Sequence, residues 1–287
     1  MCGFVTLYNP HQSPNSSKEE VGLMCDLIEK RGPDHYGFYQ NENIMTGCRR
    51  LSILDLSQGA NIPFKKGDLT ISYNGEVYNY LEIKERLIKE KNITFNTKSD
   101  TEVVLEAYLE YGPKCLKMFN GMFAFTIWNK KEKTLFIARD RLGIKPLFYS
   151  VKDNNYYFAS DIKSLWQKID PSQLNHNAIL DFFGQGYISK KETSTKGIFK
   201  FPSAHYWILS KDKIGTLKRY WDLEYKENFK TNFKDAVKQT ELLIEDSVRI
   251  RMRSDVPIGT FLSGGIDSTI VTGVTKKLLG KDLNTFS

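Results

Sequence analysis

Three short stretches carry residue types able to do covalent or phosphate chemistry. The first is Met1-Cys2-Gly3. A small residue after the initiator Met permits Met removal, which leaves a thiol and an α-amine on one residue. That amine, with a pKa of roughly 7.7 to 8.0, sits close to working pH, so it can take the thiol proton and later return it to a departing amine. Cys2 is then nucleophile and base together, with no distant His required. The motif is short, and a small residue opening a buried strand is the competing explanation. The second stretch is Tyr73-Asn74-Gly75-Glu76-Val77-Tyr78-Asn79, where a β run ends in Asn-Gly. The Asn74 amide and the unhindered Gly75 N–H can point at one oxygen, as an oxyanion hole needs. An ordinary Asn-Gly hairpin turn competes with that use. The third is Ser263-Gly264-Gly265-Ile266-Asp267-Ser268 after an apolar run. Small residues, backbone N–H groups and a helix start make a phosphate cradle without a Walker lysine, and a Gly-rich turn into a helix is the plainer alternative. No G-x-x-x-x-G-K-[ST] occurs, which argues against a kinase-type loop.

Positioning these residues falls to a β-rich segment. Leu69 to Tyr73, Met122 to Trp128, Thr134 to Ala138 and Tyr156 to Ala159 read as strands among a few helices, giving an α+β domain up to about residue 210. Ser17-x-x-Glu20 opens a helix with Val21, Met24, Cys25 and Ile28 on one face, closing at Gly32-Pro33, so Cys25 belongs to the core. Ser99-x-x-Glu102 opens another, with Val103, Ala107, Tyr108 and Tyr111 on its apolar face and Gly112-Pro113 at its end. Asp100 therefore falls in a first helical turn. From Phe233 a helical pattern runs to about Ile250. Val256 to Leu262 then reads as a buried strand, followed by the phosphate loop and a helix through Leu279. The expected divisions are 2–210, a connecting segment 211–232, and 233–287 as an incomplete unit, because one βα unit cannot bury both its faces.

Composition narrows the field. With 287 residues, 40% hydrophobic and 13% aromatic, the chain can bury one large core and part of a second. The net charge of +7 is spread among acidic residues rather than gathered into a stripe, which points to anionic substrates and away from nucleic acid. No apolar run approaches the roughly 18 residues of a membrane span, and no secretory pattern opens the chain, so a cytoplasmic protein without membrane contact is expected. Cys2, Cys25, Cys48 and Cys115 form no C-x-x-C motif, and His11, His35, His176 and His205 show no ligand spacing, so no metal site is expected and the thiols stay reduced.

In order along the chain stand Met1-Cys2-Gly3, Arg31-Gly32-Pro33-Asp34, Arg50-Leu51-Ser52-Ile53, Asn74-Gly75-Glu76-x-Tyr78-Asn79, Ser99-Asp100-x-Glu102 and Gly121-Met122-Phe123-Ala124-Phe125. Arg139-Asp140-x-x-Gly143-x-Lys145-Pro146-Leu147 and Ser263-Gly264-Gly265-x-Asp267-Ser268 follow. Together they resemble the glutamine-dependent asparagine synthetases, over essentially the whole chain. The resemblance implies a four-layer αββα sandwich of the N-terminal-nucleophile glutaminase type, followed by the start of an α/β pyrophosphate-loop domain. It further implies that Arg50 pairs with the glutamine α-carboxylate, which a planar guanidinium can grip bidentately, and that Asp100 holds the α-ammonium. Arg50 to Leu54 (Leu51, Ser52, Ile53) and Asn74 to Glu76 would line the pocket, Asn74 and Gly75 would form the oxyanion hole, and Cys2 would attack the side-chain amide. Leu262, Ser263, Gly264, Gly265, Asp267 and Ser268 would bind ATP with Mg2+, with Leu262 on the adenine side. A solvated charge and a helix-start carboxylate are the plain alternatives for Arg50 and Asp100.

Three positions depart from the family's habit: Cys48 where many relatives carry His, Asp161 for Glu, and Ala204 for Gly. The activity implied is glutamine hydrolysis coupled to ATP-dependent amidation of aspartate through an adenylate, and a homodimer is the assembly considered. Another carboxylate or a sugar as acceptor is the second enzyme reading, with the pyrophosphate loop arguing against sugar-phosphate enzymes. A truncated glutaminase or docking module without synthetase activity is the third.

Overall fold

In a computed structural model the described residues are 2–212, 215–225, 227, 231–280 and 282–287. Met1, whose removal would free Cys2, lies outside them, as do six residues of the expected 211–232 connection: 213, 214, 226 and 228–230. The chain divides into two compact units. One runs to Ser52 and from Ser57 to Asp222; the other comprises Ile53–Leu56 and Leu223–Ser287.

The first unit opens with β1 (Gly3–Tyr8), α1 (Lys18–Asp26), β2 (His35–Asn41), β3 (Ile44–Arg50), β4 (Phe64–Lys66) and β5 (Leu69–Val77). Helices α2 (Tyr80–Lys91) and α3 (Asp100–Tyr111) come next, then β6 (Gly121–Asn129), β7 (Thr134–Arg139), β8 (Phe148–Lys152) and β9 (Asn155–Ala159). Short α4 (Ile162–Leu165), α5 (His176–Gln185), β10 (Phe199–Lys200), β11 (His205–Ser210) and β12 (Lys218–Arg219) complete it. The strands form two six-stranded sheets, ordered β10-β8-β9-β1-β3-β2 and β12-β11-β7-β6-β5-β4, every adjacent pair antiparallel.

A file of hydroxyls joins the sheets face to face. Thr6 Oγ1 lies 3.0 Å from Thr126 Oγ1, and Thr46 Oγ1 lies 2.7 Å from Ser72 Oγ, so small β-branched and hydroxyl side chains meet where the sheets press together. On the outer face of the first sheet, Val5, Leu7 and Met45 pack with Val21, Met24, Cys25 and Ile28. Helix α3 covers the other sheet against β5, and α2 packs on α3. The layers are therefore αββα. Period-two alternation puts Cys48, Arg50 and Asn74 on the inner face with Thr46 and Ser72.

Helix starts follow their local signals. Ser17 and Glu20 form the reciprocal capping box, and Ser99 accepts the Thr101 N–H. Gly112, at φ +55°, ends α3 in a conformation that a side chain would resist. Two expectations need correcting. Helix α1 stops at Asp26 rather than at Gly32-Pro33, and a short 3-10 turn at Glu29–Arg31 follows. The chain leaves the helix there because Gly32 must lie against β3: a Cβ on it would stand 2.4 Å from the Arg49 carbonyl carbon and oxygen. Asn74-Gly75 is no hairpin turn; both residues lie inside β5, opposite Ala124 and Phe123.

The second unit contains α6 (Phe233–Arg251), β13 (Gly259–Phe261), α7 (Ile266–Leu279) and β14 (Asn284–Phe286), with β13 and β14 parallel. The expected strand at Val256 to Leu262 is thus three residues long, and it is not buried: Phe261 is 83% exposed. Among the described residues it has one strand neighbour and α7, too little to cover both faces. No described helix is long and apolar enough to cross a membrane.

Candidate active site

Cys2 immediately precedes β1, and its position is set by the end of β3. The Leu51 N–H donates to Cys2 Sγ at 3.4 Å, the thiol reaches the Leu51 carbonyl at 3.7 Å, and Arg31 Nε donates to the Cys2 carbonyl at 3.3 Å. Burial raises the thiol pKa, against the Leu51 hydrogen bond and the positive charge of Arg50. At neutral pH the sulfur is therefore a protonated thiol, and a base must take its proton before it can attack.

Arg50 is no solvated charge. It is 5% exposed, and its Nη1 donates to the Ser57 carbonyl at 3.2 Å and to Asn61 Oδ1 at 2.8 Å. The Arg31-Gly32-Pro33-Asp34 segment braces it from behind. Pro33 bridges to Arg50, the Asp34 N–H donates to the Arg50 carbonyl at 3.0 Å, and Asp34 Oδ2 accepts the Ser52 N–H at 2.7 Å.

Asn74 is fully buried, and both its amide oxygen and its amide nitrogen lack a hydrogen-bond partner. Leaving such a group unpaired costs about 1–3 kcal/mol, so its retention asks for a ligand. Gly75 is placed by the neighbouring strand. Phe123 spends its carbonyl on the Asp140 N–H at 2.8 Å and its own N–H on Asp140 Oδ2 at 3.1 Å. The Gly75–Phe123 pair is consequently a non-hydrogen-bonded one, and the Gly75 N–H points away from β6. Strand β4 pairs only with Leu69, Thr70 and Ile71 and does not reach it. A Cβ on Gly75 would lie 2.7 Å from the Met122 carbonyl oxygen, which is why glycine stands there.

Two residues further along the same edge, the Val77 N–H donates to Asp100 Oδ2 at 2.9 Å, and the Tyr73 hydroxyl donates to the same oxygen at 2.6 Å. Burial raises the Asp100 pKa and these donors oppose it, so this carboxylate does more than cap a helix. Glu102, two residues on, ties down the approach to α3 by accepting the Thr97 N–H and hydroxyl at 2.7 Å each and the Lys66 ammonium at 2.9 Å.

Cys2 lies within electrostatic reach of Arg50 and Asp100, so a thiol, a guanidinium and a carboxylate share one neighbourhood. Leu51 and Ser52 belong to it through the contacts above. Glu76 lies on β5 within electrostatic reach of buried Lys145, whose pKa burial lowers. Ile53 and Leu54 sit instead with the second unit, where the Asp255 N–H donates to the Ile53 carbonyl at 3.0 Å. Residues that sequence reasoning left without a role are Arg31, Asp34, Asn61, Tyr73 and Lys145. Arg31, Asp34, Tyr73 and Lys145 stood in quoted motifs without an assigned role, and nothing in the spacing of Asn61 marks it.

In the second unit, Gly264 takes φ +80° and Gly265 occupies the N-cap of α7 without a side-chain cap. Ser263 Oγ lies 3.2 Å from Ser268 Oγ, Asp267 is exposed, and the Leu262 N–H donates to the Phe286 carbonyl at 2.7 Å. An uncapped helix start behind a glycine turn fits a pyrophosphate. No described group of three His, Cys, Asp or Glu could hold a metal ion.

The glutamine amidotransferase domain model matches residues 1–221. The chain belongs to this family. An asparagine synthase model matches residues 239–287, so this amidotransferase domain is of the asparagine synthetase type. Asparagine synthetase [glutamine-hydrolyzing] 1 of Bacillus subtilis is 39% identical over 294 residues, which take in 100% of this chain and 45% of that protein. Putative asparagine synthetase [glutamine-hydrolyzing] 2 of Methanocaldococcus jannaschii is 38% identical over 296 residues, 94% of this chain and 56% of that one. The chain thus spans about half the length of these relatives. Among solved structures, the glutamine phosphoribosylpyrophosphate amidotransferase of B. subtilis, complexed with ADP and GMP, shares the fold with a TM-score of 0.55 at 14% identity, over 99% of this chain and 65% of that one. The amidotransferase domain therefore shares the αββα sandwich fold of that enzyme.

Proposed function

We propose that this amidotransferase domain hydrolyses glutamine to glutamate and ammonia at Cys2, and that the ammonia serves ATP-dependent amidation of aspartate through an adenylated intermediate. The observation that carries the proposal is the buried, unpartnered amide of Asn74 beside a Gly75 N–H that β6 does not use. Arg50 grips the α-carboxylate of glutamine and Asp100 its α-ammonium, fixing the side-chain amide before the thiol. The α-amine of Cys2, free once Met1 is gone, takes the thiol proton. Sulfur attacks the amide carbon, and Asn74 Nδ2 and the Gly75 N–H receive the oxyanion. Collapse expels ammonia, which takes its proton from the same amine, and leaves a thioester. Water then cleaves the thioester through a second oxyanion held by the same donors. For the acceptor half, the Ser263–Ser268 loop would hold ATP with Mg2+; aspartate as acceptor is supported by the names of the two curated relatives.

The test is glutamate release by the purified chain beside Cys2→Ala, with mass spectrometry for Met1 removal and for a glutamine-analogue adduct on Cys2. Release that vanishes in Cys2→Ala, with the adduct on Cys2, is the expected result. A folded, Met-free chain that releases nothing and takes no adduct would overturn it.

A further inference from the structure

We propose that Tyr73 is a positioning residue that fixes Asp100 to receive the α-ammonium of the substrate, an inference that rests on the glutamine-hydrolysing function above. Tyr73 is 3% exposed and Asp100 4%, so neither can turn to water for a partner. The phenol donates to Asp100 Oδ2 at 2.6 Å and the Val77 N–H to the same oxygen at 2.9 Å, so two donors on one strand set the plane of the carboxylate. The ring is itself held against Phe125, with centroids 6.4 Å apart. Burial pushes the Tyr73 phenol well above its ordinary range, so it stays a donor at any working pH. Burial also favours the neutral form of Asp100, which could not pair with an ammonium, and the two hydrogen bonds hold it towards the charged form. The other groups acting on Asp100 are Ser99 and the Thr101 N–H on its own helix, with the Cys2 thiol within electrostatic reach. Because Tyr73 directly precedes Asn74 and Gly75 on β5, one strand registers both the charged end of the substrate and the oxygen of its reacting amide.

The experiment is glutamate release by the full chain, as wild type and Tyr73→Phe, between about pH 5 and pH 9. It is paired with the inhibition constant of glutaramic acid, which keeps the carboxylate and the amide of glutamine but lacks the ammonium. The expected result for Tyr73→Phe is a KM raised about tenfold with kcat within about twofold. The acid limb of kcat/KM should move up by about one pH unit, because the carboxylate loses a donor to its charged form. Inhibition by glutaramic acid should be unchanged, since that ligand has nothing for Asp100 to hold. An unaltered KM and acid limb would overturn the proposal, and so would an equal weakening for glutaramic acid, which would mark general damage to the pocket. Tyr73→Leu carries the same comparison if Tyr73→Phe does not fold. A wild-type chain that releases no glutamate would overturn the hydrolytic function and this inference with it; an active wild type with an unaltered variant would overturn this inference alone.

Discussion

Asn74 sets activity against stability within one side chain. Its amide is desolvated and makes no hydrogen bond, so it costs folding free energy of about 1–3 kcal/mol, a sum recovered only when an oxyanion forms beside it. Asn74→Leu keeps the approximate shape and removes both polar atoms. We expect kcat for glutamine to fall about 100- to 1000-fold with KM little changed, because the donor acts on the transition state and not on the bound amide. The melting temperature should be no lower than that of the wild type. Steady-state kinetics and a thermal scan on the same preparation decide it, and a variant that lost stability while keeping kcat would assign Asn74 to packing alone. Cys48 shows the contrast. It is equally buried on the same inner face and burial pushes its thiol well up, which leaves it an inert core residue.

At the scale of elements, the loop entering β11 holds a residue in a conformation that suits it poorly. Ala204 takes φ +58°, in the left-handed region, where a glycine would sit without steric cost. Its N–H donates to the Asp140 carbonyl at 2.8 Å and its carbonyl accepts the Tyr220 N–H at 2.9 Å, so the backbone is committed there. Ala204→Gly should stabilise the chain by about 0.5–1 kcal/mol, read as a rise in thermal midpoint; a fall would mean that the unfolded-state entropy of glycine outweighs the relieved strain. The other departure, Asp161, N-caps α4 by accepting the Lys163 N–H at 3.0 Å, a role that suits the shorter acid. The same scale explains what the sequence disclosed. Helix starts at Ser17 and Ser99 were legible because a capping hydroxyl and the N–H that donates to it are neighbours in the chain. The hydroxyls joining the sheets, the brace of Arg31 and Asp34 behind Arg50, and the Tyr73–Asp100 bond were not, because each pairs residues that only tertiary packing brings together. Asn74-Gly75 misled locally: the dipeptide favours a turn, and only pairing with β6 shows it to be a strand with a displaced N–H.

The two compact units differ in how much each buries for itself. The first seals Trp128, Tyr8, Phe4, Phe119, Phe123, Phe125, Phe136, Phe158, Phe201, Leu7 and Met24 below 2% exposure. In the second, α6 buries only Val248 and Ile250, α7 only Thr275, while Phe233, Leu243, Ile266 and Phe286 stay 58% to 85% exposed. Local opening is governed by buried contacts, so the second unit should open far more often than the first. Limited proteolysis should therefore cut first between Leu223 and Ser287. The surviving fragment should reach beyond Ser210, because β12 pairs with β11 and buried Tyr220 donates its hydroxyl to the Arg139 carbonyl at 2.9 Å. Mass spectrometry of the fragment should place its end near Asp222. If the αββα sandwich carries the chemistry alone, that fragment will still form the glutamine-analogue adduct at Cys2. Loss of the adduct on trimming would instead mean that the first unit does not carry the chemistry alone.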